Sequence, residues 1–257
     1  EILPTKYVLL DWIDKDKLNW RNVSLNPNAI DLLKENPDEI DWDFLSRNPN
    51  AIELLTNNQD KIDWIYLSTN PNAIDLLKSK KLKIDWTFLS ANPNAIDLLE
   101  ENQSNIDWDE ICSNPNAIDL IKRNLHKVDW MELSENPNAI KLLKKNQDKI
   151  KWAYLSRNPN AVDLLKNNKD KIDWVALSYN KNAIDLLKKN QDKINWNVLS
   201  RNPNAINLLK DRIEYEKSLT QKQYNDLKKK VNTISWTSLS KNPNAINLLK
   251  ENQDKIN

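Results

Sequence analysis

The chain has 257 residues, 38 of them basic and 37 acidic, with no glycine, one cysteine and one histidine. A formal net charge of +1 gives no overall attraction to nucleic acid or to an anionic membrane. One cysteine excludes an internal disulfide and a multi-cysteine zinc site, and the lack of glycine excludes a glycine-rich phosphate loop.

No charged segment followed by an apolar run opens the chain, and no apolar stretch approaches the ~20 residues of a membrane span. This predicts an intracellular protein without a membrane association. Residues 1–19 hold Tyr7, Leu9, Leu10, Trp12 and Ile13, an apolar cluster that reads as an N-terminal cap. From Trp20 onward tryptophan returns at 42, 64, 86, 108, 130, 152, 174 and 196, always after 22 residues, and then at 236 after 40. Residues 20–257 are thus predicted to form ten repeats, with one insertion of 18 residues (40 less 22).

Numbered from the tryptophan, the repeat is W-x-x-L-S-x-N-P-N-A-I-D-L-L-K-x-N-x-D-K-I-D. Aspartate at position 22 (Asp41, Asp63, Asp85) precedes the tryptophan as an N-cap precedes a helix, and Ile62 with Leu67 has the spacing of a hydrophobic staple. A first helix, helix A, of about six residues follows, and Asn-Pro at positions 7 and 8 ends it. Helix B is expected to begin at that proline. Its apolar residues at positions 10, 11, 13 and 14 (Ala51, Ile52, Leu54, Leu55) share one face, and asparagine at position 17 (Asn58, Asn102, Asn146) is expected to end it with a left-handed cap in place of glycine. Neither helix is long enough to persist alone, so each repeat is expected to bury its tryptophan and helix B face against its neighbours. The fold class is an all-α solenoid of two-helix repeats.

Lys181 stands where repeat eight should have proline, which puts the sharpness of that helix start in question. In repeat nine, the insertion lies within about residues 211–233, with Thr220 and Gln223 as a capping box before a helix carrying Tyr224, Leu227 and Val231. This predicts a helical arm. Asn257 occupies position 22 of the last repeat, where a further tryptophan would come next.

Chemistry-bearing residues are few. His126 replaces an aspartate at position 19 and reads as exposed, and Cys112 replaces the position-5 serine without a base placed beside it by motif. Helix B aspartates and lysines, such as Asp75 with Lys78, have the spacing of local ion pairs on a solvated face; Lys141 and Asn207 interrupt any aspartate series that would hold a metal. No convergent acid–base set is present, so no catalytic residue, cofactor or metal is expected. Asparagine at position 7 reads as an N-cap, and asparagine at position 9 (Asn94, Asn138) reads either as codon usage and local capping or as an inter-repeat hydrogen-bond ladder.

Variation is concentrated at positions 2, 3 and 6 of helix A. Five of the eight phenylalanines and tyrosines lie there, Phe44, Tyr66, Phe88, Tyr154 and Tyr179, joined at position 6 by Arg47, Arg157 and Arg201. Either these side chains fill grooves between neighbouring short helices, or they form a recognition surface for a protein partner, since tyrosine and arginine are enriched among interface hot spots.

The reiterated L-S-x-N-P-N-A-I-x-L-L, entered through Leu9-Leu10-Asp11-Trp12-Ile13 and Lys17-Leu18-Asn19-Trp20, resembles tandem-repeat proteins of giant DNA viruses of the mimivirus type. That resemblance implies a viral protein located in the host cytoplasm or the virion. Together these features predict a non-catalytic protein-binding scaffold. Two alternatives are single-stranded RNA binding through Tyr66, Tyr154, Arg157 and Arg201, which the near-zero charge opposes, and a self-associating structural component of the virion.

Overall fold

The computed structural model describes residues 9, 13–230 and 232–256. Among these residues the chain is all-helical, a series of short helices repeated in register with no strand. It divides into two compact units, Glu1–Asp129 with repeats one to five and Trp130–Asn257 with repeats six to ten. Each is an array in which a repeat packs on its sequence neighbours. Most of the expected N-terminal cap, including Tyr7, Leu10 and Trp12, lies outside the described residues, as do Val231 and Asn257. Of residues 1–19, a single 3-10 turn at Lys15–Lys17 is described, capped by Asp14.

Repeat two shows how the sequence sets the unit. Asp41 accepts from the Phe44 amide at 3.1 Å and starts helix A, Trp42–Ser46. Its Ser46 hydroxyl donates back to the Trp42 carbonyl and accepts from the Asp63 amide, which starts the next helix A. Helix B, Ile52–Asn57, begins at position 11, three residues after the proline. The reason is local: the Asn48 side chain accepts from the Asn50 amide and the Ala51 amide donates to the Asn48 carbonyl, so positions 8–10 form a tight turn. The first α-helical bond is Leu55 to Ala51. Lys181 changes nothing here, because helix Ile184–Lys188 still starts at position 11.

Position 17 also differs from expectation. Asn58, Asn102, Asn146, Asn168 and Asn190 have φ between −130° and −138°, not left-handed angles. The asparagine works through its side chain: the Asn58 amide donates to the Leu54 carbonyl at 2.8 Å, pairing one of the carbonyls that a helix end leaves open. Lys80 takes the same backbone angles without such a bond. A turn at negative φ needs no glycine, which accounts for a glycine-free chain. After it comes a 3-10 turn at positions 18–20, such as Gln59–Lys61, in addition to the two α-helices of the repeat.

The core is a row of small and branched residues. Leu45, Ala51 and Leu55, and their equivalents Leu67, Ala73 and Leu77 or Leu177, Ala183 and Leu187, are wholly excluded from solvent. Burying each leucine contributes about 1.5–3 kcal/mol, which a single repeat could not achieve alone. Ile62 and Leu67, the staple pair, are both buried. The tryptophans are not the buried centre that the spacing suggests. Trp42, Trp64, Trp86, Trp152 and Trp174 are half-buried, and only Trp196 among the described tryptophans is enclosed. A tryptophan in the first turn of a five-residue helix lies at the edge of the stack, one face inward and one outward.

The insertion extends helix B of repeat nine to Ile206–Ser218 and adds a helix, Gln221–Lys229, with the Thr220–Gln223 capping box formed as expected. Its base is packed into the array. Ile213 and Ile234 are buried, and Arg212 donates to Glu216 at 3.0 Å and to the Asn232 carbonyl at 2.6 Å.

Candidate interaction surface

Fixed positions of the repeat are consumed by the frame. Within each unit, the position-7 asparagine of every repeat after the first donates both amide hydrogens to two carbonyls of the preceding repeat. Asn70 reaches Ser46 at 3.0 Å and Asn48 at 2.9 Å, and Asn92 reaches Ser68 and Asn70 at 3.0 Å each. Within the second unit Asn158, Asn180, Asn202 and Asn242 repeat the pattern. Position 9 adds an outer rail, as when Asn72 donates to the Pro49 carbonyl at 2.9 Å. Lys181 serves this rail as well as proline does, since Asn204 bonds to its carbonyl at 2.9 Å. The ladder crosses the insertion intact: Asn242 still reaches Ser200 and Asn202. These asparagines are therefore structural, and the surface free for other work lies elsewhere.

One face of six tryptophans carries a cation. Lys61 lies 4.7 Å from the Trp42 ring, Lys83 4.9 Å from Trp64, Lys127 4.7 Å from Trp108, Lys171 4.7 Å from Trp152 and Lys193 4.8 Å from Trp174. In each case position 20 covers position 1 of its own repeat. In repeat nine, Arg212 of the insertion takes the lysine's place over Trp196 at 4.7 Å. The sequence shows lysine at position 20 in most repeats, and that periodicity was the available signal for this pairing. Helix B ion pairs occur as expected at i,i+3, Lys122 with Asp119 at 2.8 Å and Lys166 with Asp163 at 3.1 Å, and also between repeats, Lys34 with Glu53 at 2.8 Å. Hydrogen bonding to Glu53 raises the Lys34 pKa and the same bond lowers that of Glu53.

Helix A carries the variable residues, and the two units arrange them differently. In Glu1–Asp129, Phe44 and Tyr66 meet edge to face at 6.4 Å, Arg21 lies 4.1 Å from the Phe44 ring, and Arg47 lies 3.7 Å from Tyr66 and 6.0 Å from Phe44. Arg47, Phe44 and Tyr66 are half-buried in the grooves between successive helices A, while Phe88 is 39% exposed. In Trp130–Asn257, Tyr154 is half-buried and Arg157, Tyr179 and Arg201 are exposed. Arg157 lies 3.9 Å from Glu135 and 5.6 Å from the Tyr179 ring. A hollow of about 260 Å³ opens beside it, lined by Ala153, Tyr154, Arg157, Asp173, Val175 and Ala176. Sequence reasoning named positions 3 and 6 as the site and gave no individual weight to position 2, where the exposed Ile65, Met131 and Val175 stand.

Elsewhere, Cys112 is buried with its thiol directed to the Trp108 carbonyl, as the serines are, and His126 is exposed. Among the described residues no group of three or more His, Cys, Asp or Glu is placed to hold a metal ion, and no helix is long and apolar enough to cross a membrane. A cleft of about 400 Å³ lies between the insertion and repeat ten, with Ile213, Glu216, Tyr224 and Trp236 in its wall. Comparison of the chain with protein-family models, curated proteins and solved structures finds no match in any of the three.

Proposed function

We propose that the protein is a non-catalytic scaffold that binds a protein partner through the helix A face of its repeats. One observation carries this reading. Of the ten large apolar side chains exposed among the described residues, six lie at the variable positions of helix A: Leu25, Ile65, Phe88, Met131, Val175 and Tyr179. Solvent-exposed apolar residues collected on one element type, three in each unit, are what a recognition surface requires, whereas isolated ones carry no such meaning. The ladder supports it by tying consecutive repeats together within each unit, so that little ordering is left to oppose binding. The resemblance of the repeat motif to proteins of giant DNA viruses supports a partner of host or viral origin.

The test is site-specific photo-crosslinking in the native host extract. A benzophenone amino acid placed at Ile65, Met131 or Val175 should crosslink one protein species from all three sites, and the same group at Asp75 or Lys166 on helix B should not. Crosslinks from helix B alone would overturn the reading. Recovery of salt-removable RNA in place of a protein would instead support single-stranded nucleic-acid binding.

A further inference from the structure

The two units provide an internal comparison at one place, the groove between consecutive helices A. In repeats two and three this groove is filled from within: Phe44 meets the Tyr66 ring edge to face, and the Arg47 guanidinium covers Tyr66 at 3.7 Å. Repeats seven and eight have Tyr154 in the place of Phe44 and Arg157 in the place of Arg47, but Ala176 in the place of Tyr66. Alanine also stands at position 2 of repeat seven, as Ala153, where repeat two has Asp43. The ring is missing and its surroundings remain. Arg157, with no ring at position 3 of the next repeat, is exposed and lies toward Glu135 and the Tyr179 ring, and the space is the hollow of about 260 Å³ between Tyr154 and Val175.

We propose that this hollow seats one aromatic side chain, phenylalanine or tyrosine, of the partner protein, its ring taking the position that Tyr66 occupies in the first unit. The inference rests on the helix A reading and specifies its partner chemistry. Size permits it, since a cavity of roughly 150 Å³ accommodates a benzene ring. Chemistry selects an aromatic over an aliphatic group in two ways. Tyr154 presents a ring for the edge-to-face contact that Phe44 makes with Tyr66, and Arg157 supplies a guanidinium that gains from a π face and not from an alkyl chain. Ala176, only 5% exposed, and Val175, 50% exposed, give the hollow an apolar side that a bound ring would cover, while Asp173, which also lines it, accepts from the Ala176 amide at 2.8 Å.

The experiment uses the full chain and 4-methylphenol as the probe, with methylcyclohexane as its aliphatic counterpart, read by the methyl NMR signals of Ala153, Val175 and Ala176. Saturable shifts confined to these methyls are expected with 4-methylphenol, with methylcyclohexane about fivefold weaker, the worth of one exposed cation–π contact. Ala176→Tyr, which supplies the ring covalently, should abolish the response at Ala153 and Val175 while helical content is unchanged. Tyr66→Ala should open an equivalent hollow in the first unit and bring saturable shifts to the Ile65 methyls. Shifts that rise linearly with concentration, that persist in Ala176→Tyr, or that are equal for the two probes would overturn the proposal. Because the titration contains no partner, its failure with helix A crosslinks intact sinks the hollow alone, and loss of those crosslinks with the titration intact sinks the helix A reading alone.

Discussion

Within each unit, the position-7 asparagine of a repeat after the first satisfies three backbone groups at once: two carbonyls of the preceding repeat through its amide and one amide of its own turn through its oxygen, as Asn92 does with Ser68, Asn70 and Asn94. No other side chain of that size has two donors and an acceptor in this geometry. Asn92 is 2% exposed, so truncation leaves buried carbonyls unpaired. Asn92→Ala should therefore cost about 2–6 kcal/mol in urea denaturation, two groups at roughly 1–3 kcal/mol each. Asn94→Ala removes one exposed bond, to the Pro71 carbonyl, and should cost only about 0.5–1.5 kcal/mol. Equal losses at the two positions would show that the inner bonds do not dominate. The lysine over five of the tryptophans is a smaller effect, about 0.5–1 kcal/mol per exposed pair. It shields an indole face that the short helix leaves at the edge of the stack.

At the scale of elements, the insertion shows how the array accepts extra chain. Helix B can be prolonged at its C-terminal end because the ladder is carried by positions 7 and 9, upstream of the extension, and Arg212 restores the cation over Trp196. Arg212 and Glu216 form an ion pair with side chains only 12% and 8% exposed. Arg212→Ala should cost about 3–5 kcal/mol at neutral pH, because it strands a buried carboxylate. The loss should shrink in acid, where Glu216 takes up a proton. In the intact protein burial already pushes the Glu216 carboxyl above its ordinary value, against hydrogen bonds from the Ile234 amide and Arg212 that pull it down. A carboxyl raised on folding favours the protonated folded state. Its contribution is thus fully present below the unfolded value of about 4.3 and lost as pH rises through the folded one. Stability measured relative to Glu216→Gln should fall with pH across that window; a rise would mean that the arginine outweighs burial.

The sequence made the repeat, the N-caps, the staple, the insertion's capping box and the position-9 rail legible, because each depends on neighbours in sequence or on a strict period, whereas the inner inter-repeat bonds of position 7 were hidden behind its capping role. What it did not disclose depends on backbone angles or on contacts 19 residues apart. Position 17 has the residue type of a left-handed cap, yet asparagine also bonds to the carbonyl four residues back, and the turn adopts negative φ. Helix B starts late because the Asn48 side chain closes a turn that proline alone does not specify. Tryptophan suggested a buried centre by its size, but the paired lysine at position 20 is the sign of an exposed indole face. The variable helix A residues were visible as a set. Which of them fill a groove and which leave one open turns on a single alanine, Ala176.

Over the whole molecule, both units use one frame and vary what helix A presents. Between Glu1 and Asp129 an arginine–aromatic chain closes the grooves of the early repeats, and between Trp130 and Asn257 alanines leave a groove open beside Tyr154. A solenoid is stabilised repeat by repeat through nearest-neighbour contacts, so surface changes on helix A can alter binding without spreading through the core. The most direct measurement is calorimetric titration of the crosslinked partner against two triple variants. Ile65→Asp, Met131→Asp and Val175→Asp together, all at exposed helix A positions, should weaken binding by at least about 2 kcal/mol with helical content unchanged. Asp75→Ala, Lys78→Ala and Lys166→Ala together, on helix B, should leave affinity within about tenfold, or ~1.4 kcal/mol. Loss of binding in the helix B variant with full affinity in the helix A variant would contradict the account.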